Sequence, residues 1–277
     1  MNSLRVRAIA VTLSLLGIIV LLFPFVEFSG PNRGHLNFYS MTEEQRLGEQ
    51  AALNIEARFK PIRTPQLTTY LQRLGMSIVS VTEPSEITYR FRLVDTPMVN
   101  AITLPGGHIY VTSGLILSVQ SEGELAGVLA HEIGHAVSRH GTEHLSRTIF
   151  LGFINSIGGA LLGGGGAPGL VANLEGLSYS RGDETHADDL AVDFMYQAGY
   201  HPEAMARFFD RLLLLHQEAQ LTAFLSTHPL SQDRAERVRW RISDWPLDDR
   251  WRRDAPAFHE AQALLRTSKG FKADKKE

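Results

Sequence analysis

Residues 131–144 read HEIGHAVSRHGTEH, from His131 to His144. Two metal-site patterns overlap there. His131-Glu132-Ile133-Gly134-His135 is H-E-x-x-H, and His140-Gly141-Thr142-Glu143-His144 is the inverted H-x-x-E-H. On a helix, His131 and His135 lie about 40° apart one turn removed, so both imidazoles reach one ion. Glu132 is offset by about 100° and approaches from the side, as suits a general base rather than a ligand. Leu125, Val128, Leu129 and Val137, with Ala126, Ala130, Gly134 and Ala136, describe a buried helix. Two histidines and a glutamate inside it are costly without a function. Gly141 interrupts the inverted pattern where the helix is expected to stop, so His140 and His144 read as helix-terminal residues.

Working outward, Ser121-Glu122-Gly123-Glu124 is a capping box that opens this helix. Upstream, Ser40-x-x-Glu43 opens an exposed helix over 41–59, and Thr64-Pro65 opens a second with Leu67, Leu71, Leu74 and Ile78 at helical spacing. Alternation over 87–94 predicts a strand, and 100–104 and 108–111 predict two more around Pro105-Gly106-Gly107. Downstream, helical patterning resumes near Leu177 and stops at Gly199. Pro202 starts another helix, and a short polar one covers 234–242. The fold class is therefore α+β and mainly α-helical.

The ends and the middle add constraints. Arg5 and Arg7 precede an uncharged run from Ala8 to Val26. As a helix it spans about 28 Å, close to a bilayer's hydrocarbon core. It reads as an uncleaved anchor over 1–30, with a cleaved signal as the alternative, and with the body outside the cytoplasm. Residues 148–174 contain no charge and eight glycines, which predicts an apolar lid or membrane-dipping segment. The main domain is expected over 31–250, followed by an extension over 251–277 whose charged tail from Lys269 reads as disordered. The chain has 277 residues, no cysteine and a net charge of −3. Thiolate metal sites are excluded, and nothing points to nucleic acid. No signal bears on oligomeric state.

One further protein ligand is needed to complete a catalytic metal site. The extended metzincin spacing is absent, since Ser138 and Gly141 stand where it needs Gly and His. The best candidate is Glu184 in Tyr179-Ser180-Arg181-Gly182-Asp183-Glu184-Thr185-His186-Ala187-Asp188. Asp188 shares its helical face and could hydrogen-bond a ligand histidine. His186 competes but points about 200° away.

H-E-x-x-H followed by S-R-x-x-E-x-x-A-D resembles metallopeptidase family forty-eight, a gluzincin family. The resemblance runs from about Met41 to Arg237 and includes Asn100-Ala101, Pro105-Gly106-Gly107, Thr227-His228-Pro229 and Asp233-Arg234. It implies a zincin-like domain with one Zn2+ on His131, His135 and Glu184, and Glu132 as catalytic base. It also implies an edge strand before the zinc helix that pairs with an extended polypeptide, placing Asn100, Leu104, Gly106 and Gly107 at the substrate. His228 is implied at the active site, as a self-inhibitory zinc ligand or an oxyanion stabiliser. From the sequence alone it is a turn residue before Pro229. Arg234 is a candidate structural ion-pair partner near that site. Neither the multi-span membrane architecture nor the helical repeat domain of some members is seen, which points to a compact, single-anchor branch. The function implied is zinc-dependent endopeptidase action on misfolded or unassembled envelope proteins in the bacterial periplasm. The alternative is a zinc-binding chaperone with a masked protease site.

Overall fold

A computed structural model describes residues 36–83, 86–149, 178–214, 222–229 and 233–268, with Ser14 and Gly17. The expected anchor over 1–30, nearly all of the Gly-rich segment 148–174 and the tail from Lys269 lie outside the described residues. Among the described residues no helix is long and apolar enough to cross a membrane. The chain divides into two compact units.

The smaller unit takes Met1–Tyr39 with Thr142–Leu170. Within it, Asn37 Nδ2 donates to Thr142 Oγ1 at 2.9 Å and Phe38 N donates to Ser146 Oγ at 2.8 Å.

The larger unit takes Ser40–Gly141 with Val171–Glu277. It opens with α1 (Met41–Arg58), started by the complete Ser40–Glu43 capping box. Expected as exposed, α1 in fact buries Glu44, Gly48, Ala51, Ala52 and Ile55, so only its outer face is solvated. After β1 (Lys60–Ile62), α2 (Pro65–Val79) buries the predicted Leu67, Leu71, Leu74 and Ile78. Then come β2 (Arg90–Asp95), β3 (Ala101–Leu104) and β4 (His108–Thr112). The sheet runs β1-β2-β4-β3, with β2 and β4 parallel and the other pairs antiparallel. Leu104↔His108 closes the β3–β4 hairpin across Pro105-Gly106-Gly107, where both glycines have positive φ. Strand β3 is an edge: among the described residues it pairs only with β4.

A short α3 (Ser113–Ser118) leads into α4 (Glu122–Val137), the HEIGH helix, of which residues 122–136 are all buried. Ser121 caps it as expected, but the box is half-formed, because the Glu124 carboxylate takes the Gln120 N–H instead. The expected stop at Gly141 comes earlier. Ser138 N and Arg139 N close on Gly134 O and Ala136 O, and Arg139 turns left-handed with φ 53°. Its guanidinium meets the Glu44 carboxylate, Nε to Oε2 at 2.7 Å, which offsets the cost of that conformation. A separate helix, α5, then covers 140–149, so HGTEH starts a new helix rather than ending the first.

The rest is helical. Ser180 and Asp183 form a capping box that starts α6 (Arg181–Gln197), which ends before left-handed Gly199. Next are α7 (Glu203–Leu214), α8 (Thr222–Thr227), α9 (Arg234–Arg241) and α10 (Pro256–Ser268). Sequence patterning missed β1, α3, α8 and α10. Helix α10 buries Phe258 and Leu265, and Gln262 donates to Ile116 O and Val119 O, so this part of the 251–277 extension packs into the unit.

Candidate metal centre

Helix α4 supplies His131, Glu132 and His135, α6 supplies Glu184 and Asp188, and His228 follows α8. The crossing of α4 and α6 depends on Gly134. A Cβ there would lie 3.0 Å from Ala187 O and 3.2 Å from Ala187 Cα. Gly134 lies between the two histidines, and Ala187 between the two acids. Close backbone approach at this point therefore brings the imidazoles to the carboxylates.

His131 Nε2 and His135 Nε2 are 3.1 Å apart. Glu184 Oε2 is 3.5 Å from His131 Nε2, and Glu184 Oε1 is 3.4 Å from His135 Nε2. His228 Nδ1 lies 3.3 Å from His131 Nε2 and 3.0 Å from Glu184 Oε1. These four residues thus turn donor atoms onto one point. Zinc–nitrogen bonds of about 2.0–2.1 Å at tetrahedral angles set ligand separations of roughly 3.3–3.4 Å, so the spacing fits such an ion. The donor chemistry, imidazole with carboxylate and no thiolate, also fits. All four residues are 3% exposed or less.

Charges around the point are arranged for a cation. Burial raises the Glu184 carboxyl's pKa, but His228, His131 and His135 outweigh it and hold it well below the usual range. Asp188 is likewise held low, burial being overcome by Arg234 and His131. Burial pushes His135 down to about 3, leaving a neutral ring with a lone pair to give. His228 is shifted up, since Glu132 and Glu184 overcome its burial.

A second layer fixes the first. His131 Nδ1 is 2.9 Å from Asp188 Oδ1, and Arg234 donates to both Asp188 oxygens at 2.8 and 2.7 Å. Arg234 also reaches Glu184 Oε2 at 2.9 Å and lies 4.2 Å from the Phe209 ring centroid. His135 Nδ1 is 2.9 Å from His140 Nδ1, whose ring in turn meets His186 at 3.3 Å. The Tyr179 ring stacks on His135 at 3.9 Å between centroids, and Phe224 stacks on His228 at 4.9 Å. Glu132, fully buried, has Oε1 3.3 Å from His228 Nε2 and Oε2 2.6 Å from Thr103 Oγ1.

The structure therefore brings together His131, Glu132, His135, Glu184, Asp188 and His228 from the sequence reading, and adds the anticipated Arg234. His186 stays outside the four-residue cluster. Asn100 is buried just before the edge strand, and among the described residues its Oδ1 has no hydrogen-bond partner. Leu104 instead packs with Ala52, Ile55, Val94 and Tyr110. The Gly106–Gly107 turn sits beneath α1, where Gly106 N donates to Glu44 Oε1 at 3.3 Å. Sequence reasoning missed Thr103, Tyr179 and the role of His140. Tyr179 adjoins the Ser180 motif and His140 lies within the quoted stretch, but Thr103 carries no local signal.

The sequence profile described as peptidase family M48 matches residues 63–242. The chain is 29% identical over 245 residues to the mitochondrial metalloendopeptidase OMA1 of Schizosaccharomyces pombe, covering 86% of this chain and 72% of that protein. It is 28% identical over 217 residues to the beta-barrel assembly-enhancing protease of Escherichia coli strain K12, covering 74% and 45%. It is 33% identical over 169 residues to the mitochondrial OMA1 metalloendopeptidase of Bos taurus, covering 56% and 32%. The chain thus matches less than half the length of the latter two.

Proposed function

The chain belongs to peptidase family M48 and is a metallopeptidase; from that premise we propose that His131, His135 and Glu184 hold one zinc ion and that Glu132 is the catalytic base of an endopeptidase. The convergence of three donors from α4 and α6 on one buried point carries the reading. A zinc ion held there supplies Lewis acidity toward the scissile carbonyl and toward water. Glu132 takes the proton of the attacking water at Oε1 and later delivers it to the leaving amine. Asp188, locked by Arg234, orients His131. The free side of β3, from Asn100 to Leu104 with Gly106 and Gly107 at its end, aligns an extended substrate backbone by strand addition.

His228 is at the active site in this reading: its Nδ1, 3.3 Å from His131 Nε2 and 3.0 Å from Glu184 Oε1, would add a fourth protein donor where a catalytic zinc centre keeps a place for water. That observation favours a closed, self-inhibited state, and it is also what supports the second reading, a zinc-binding chaperone with a masked site. Location and targets extend the proposal. The 31–250 domain is anchored by residues 1–30, or released by cleavage there, and faces the periplasm with the 251–277 extension. It removes misfolded or unassembled envelope proteins. The run from Ala8 to Val26 and the named role of the Escherichia coli relative support this.

Glu132→Gln is expected to retain stoichiometric zinc and lose casein cleavage by about a thousandfold, within the range of general-base catalysis. Unchanged cleavage would sink the assignment of Glu132. His228→Ala separates the two readings: raised cleavage supports the closed protease, whereas no cleavage with client binding retained supports the chaperone.

A further inference from the structure

Glu132 is fully buried, and its two carboxylate oxygens meet different neighbours. Oε1 faces the histidine cluster, 3.3 Å from His228 Nε2, while Oε2 is 2.6 Å from Thr103 Oγ1. An ionised carboxylate only accepts, so the hydroxyl donates, and at this length the bond is a charge-assisted one. The same hydroxyl lies 3.0 Å from Glu132 O, a longer and neutral alternative on the same residue.

The position of Thr103 in the sheet is equally specific. Along β3 successive side chains alternate faces. Ala101 joins the large core with Ala126, Leu129, Ala130 and Ile133 of α4, whereas Ile102 and Leu104 pack in the smaller cluster with Ala52, Ile55 and Tyr110. Thr103 shares the α4-facing side, where an apolar residue would be the ordinary choice. Branching at Cβ restricts χ1, so the Thr103 hydroxyl is limited to few positions.

We propose that Thr103 is a positioning residue for the base: its hydroxyl anchors Oε2 of Glu132 so that Oε1 stays aimed at the reaction centre. The inference rests on the assignment of Glu132 above. Because Thr103 lies on the edge strand, a polypeptide pairing with β3 also bears on the strand that holds the base.

The test compares Thr103→Val, Thr103→Ser and Thr103→Ala in the full chain. Zinc content, melting temperature and steady-state cleavage of a quenched fluorescent peptide are read beside wild type and Glu132→Gln. Losing one hydrogen bond to a charged group predicts a fall in kcat of about tenfold to a hundredfold for Val, with KM and zinc content unchanged. Ser restores kcat to near wild type. If Val does not fold, Ser must still exceed Ala in kcat by the same factor. Wild-type kcat in the Val variant, or Ser no better than Ala, overturns the proposal. A fall that tracks lost zinc or lowered melting temperature assigns Thr103 a structural role and overturns it too. If neither wild type nor His228→Ala cleaves better than Glu132→Gln, the endopeptidase reading itself is overturned, and the positioning role with it.

Discussion

Asp188 sits between His131 Nδ1 and the Arg234 guanidinium. Its effect is to hold one imidazole so that Nε2 faces the metal point, which makes its contribution one of affinity. Asp188→Asn keeps the shape and removes the charge. We expect zinc affinity to fall about 10- to 100-fold, measured by chelator competition. An unchanged zinc Kd would mean that Arg234 and the fold orient His131 unaided. His131, Glu132 and His135 were legible from spacing, since a helix's period decides which side chains share a face. Thr103 was not, because a threonine one position before the end of a four-residue strand looks like ordinary β-propensity until its partner, 29 residues away, is known.

Helices α4 and α6 touch where Gly134 meets Ala187, and that crossing sets the gap between imidazoles and carboxylates. Gly134→Ala places a methyl 3.0 Å from Ala187 O, so one helix must shift by a few tenths of an ångström. Overpacking of this kind costs about 1–3 kcal/mol. The expected result is a lower urea midpoint together with weaker zinc binding, since the shift separates donors on the two helices. A lower midpoint with zinc affinity intact would show that the site tolerates the displacement. Element boundaries were read well where a cap or a first-turn proline acts locally, as at Ser40, Pro65 and Gly199. The end of α4 was misplaced because what stops it is a long-range contact. Glu44, 95 residues away in sequence, holds Arg139 in the left-handed turn that separates HEIGH from HGTEH.

At the scale of the whole molecule, the candidate donors come from α4, α6 and the chain after α8, so a metal bound at the proposed centre would be coupled to the fold of the larger unit. A ligand present at a hundred times its Kd stabilises by about 2.7 kcal/mol. Stripping zinc with a chelator should therefore lower the melting temperature by roughly 5–10 °C, and restoring zinc should recover it. An equal melting temperature with and without the chelator would mean that the four donors are held by the core alone. The sequence by itself determined the class of fold, the shared face of His131 and His135 on α4, and Glu184 as the candidate to complete their site. Those depend on helical periodicity, capping chemistry and spaced motifs, all of which act within a few residues. Only the tertiary structure decided that His228 lies against His131 and Glu184, that Asp188 and Arg234 lock His131, and that Thr103 meets Glu132. Each of these is a contact between separate elements. Its distance follows from how side-chain volumes pack at a crossing such as Gly134 on Ala187, which no local pattern encodes.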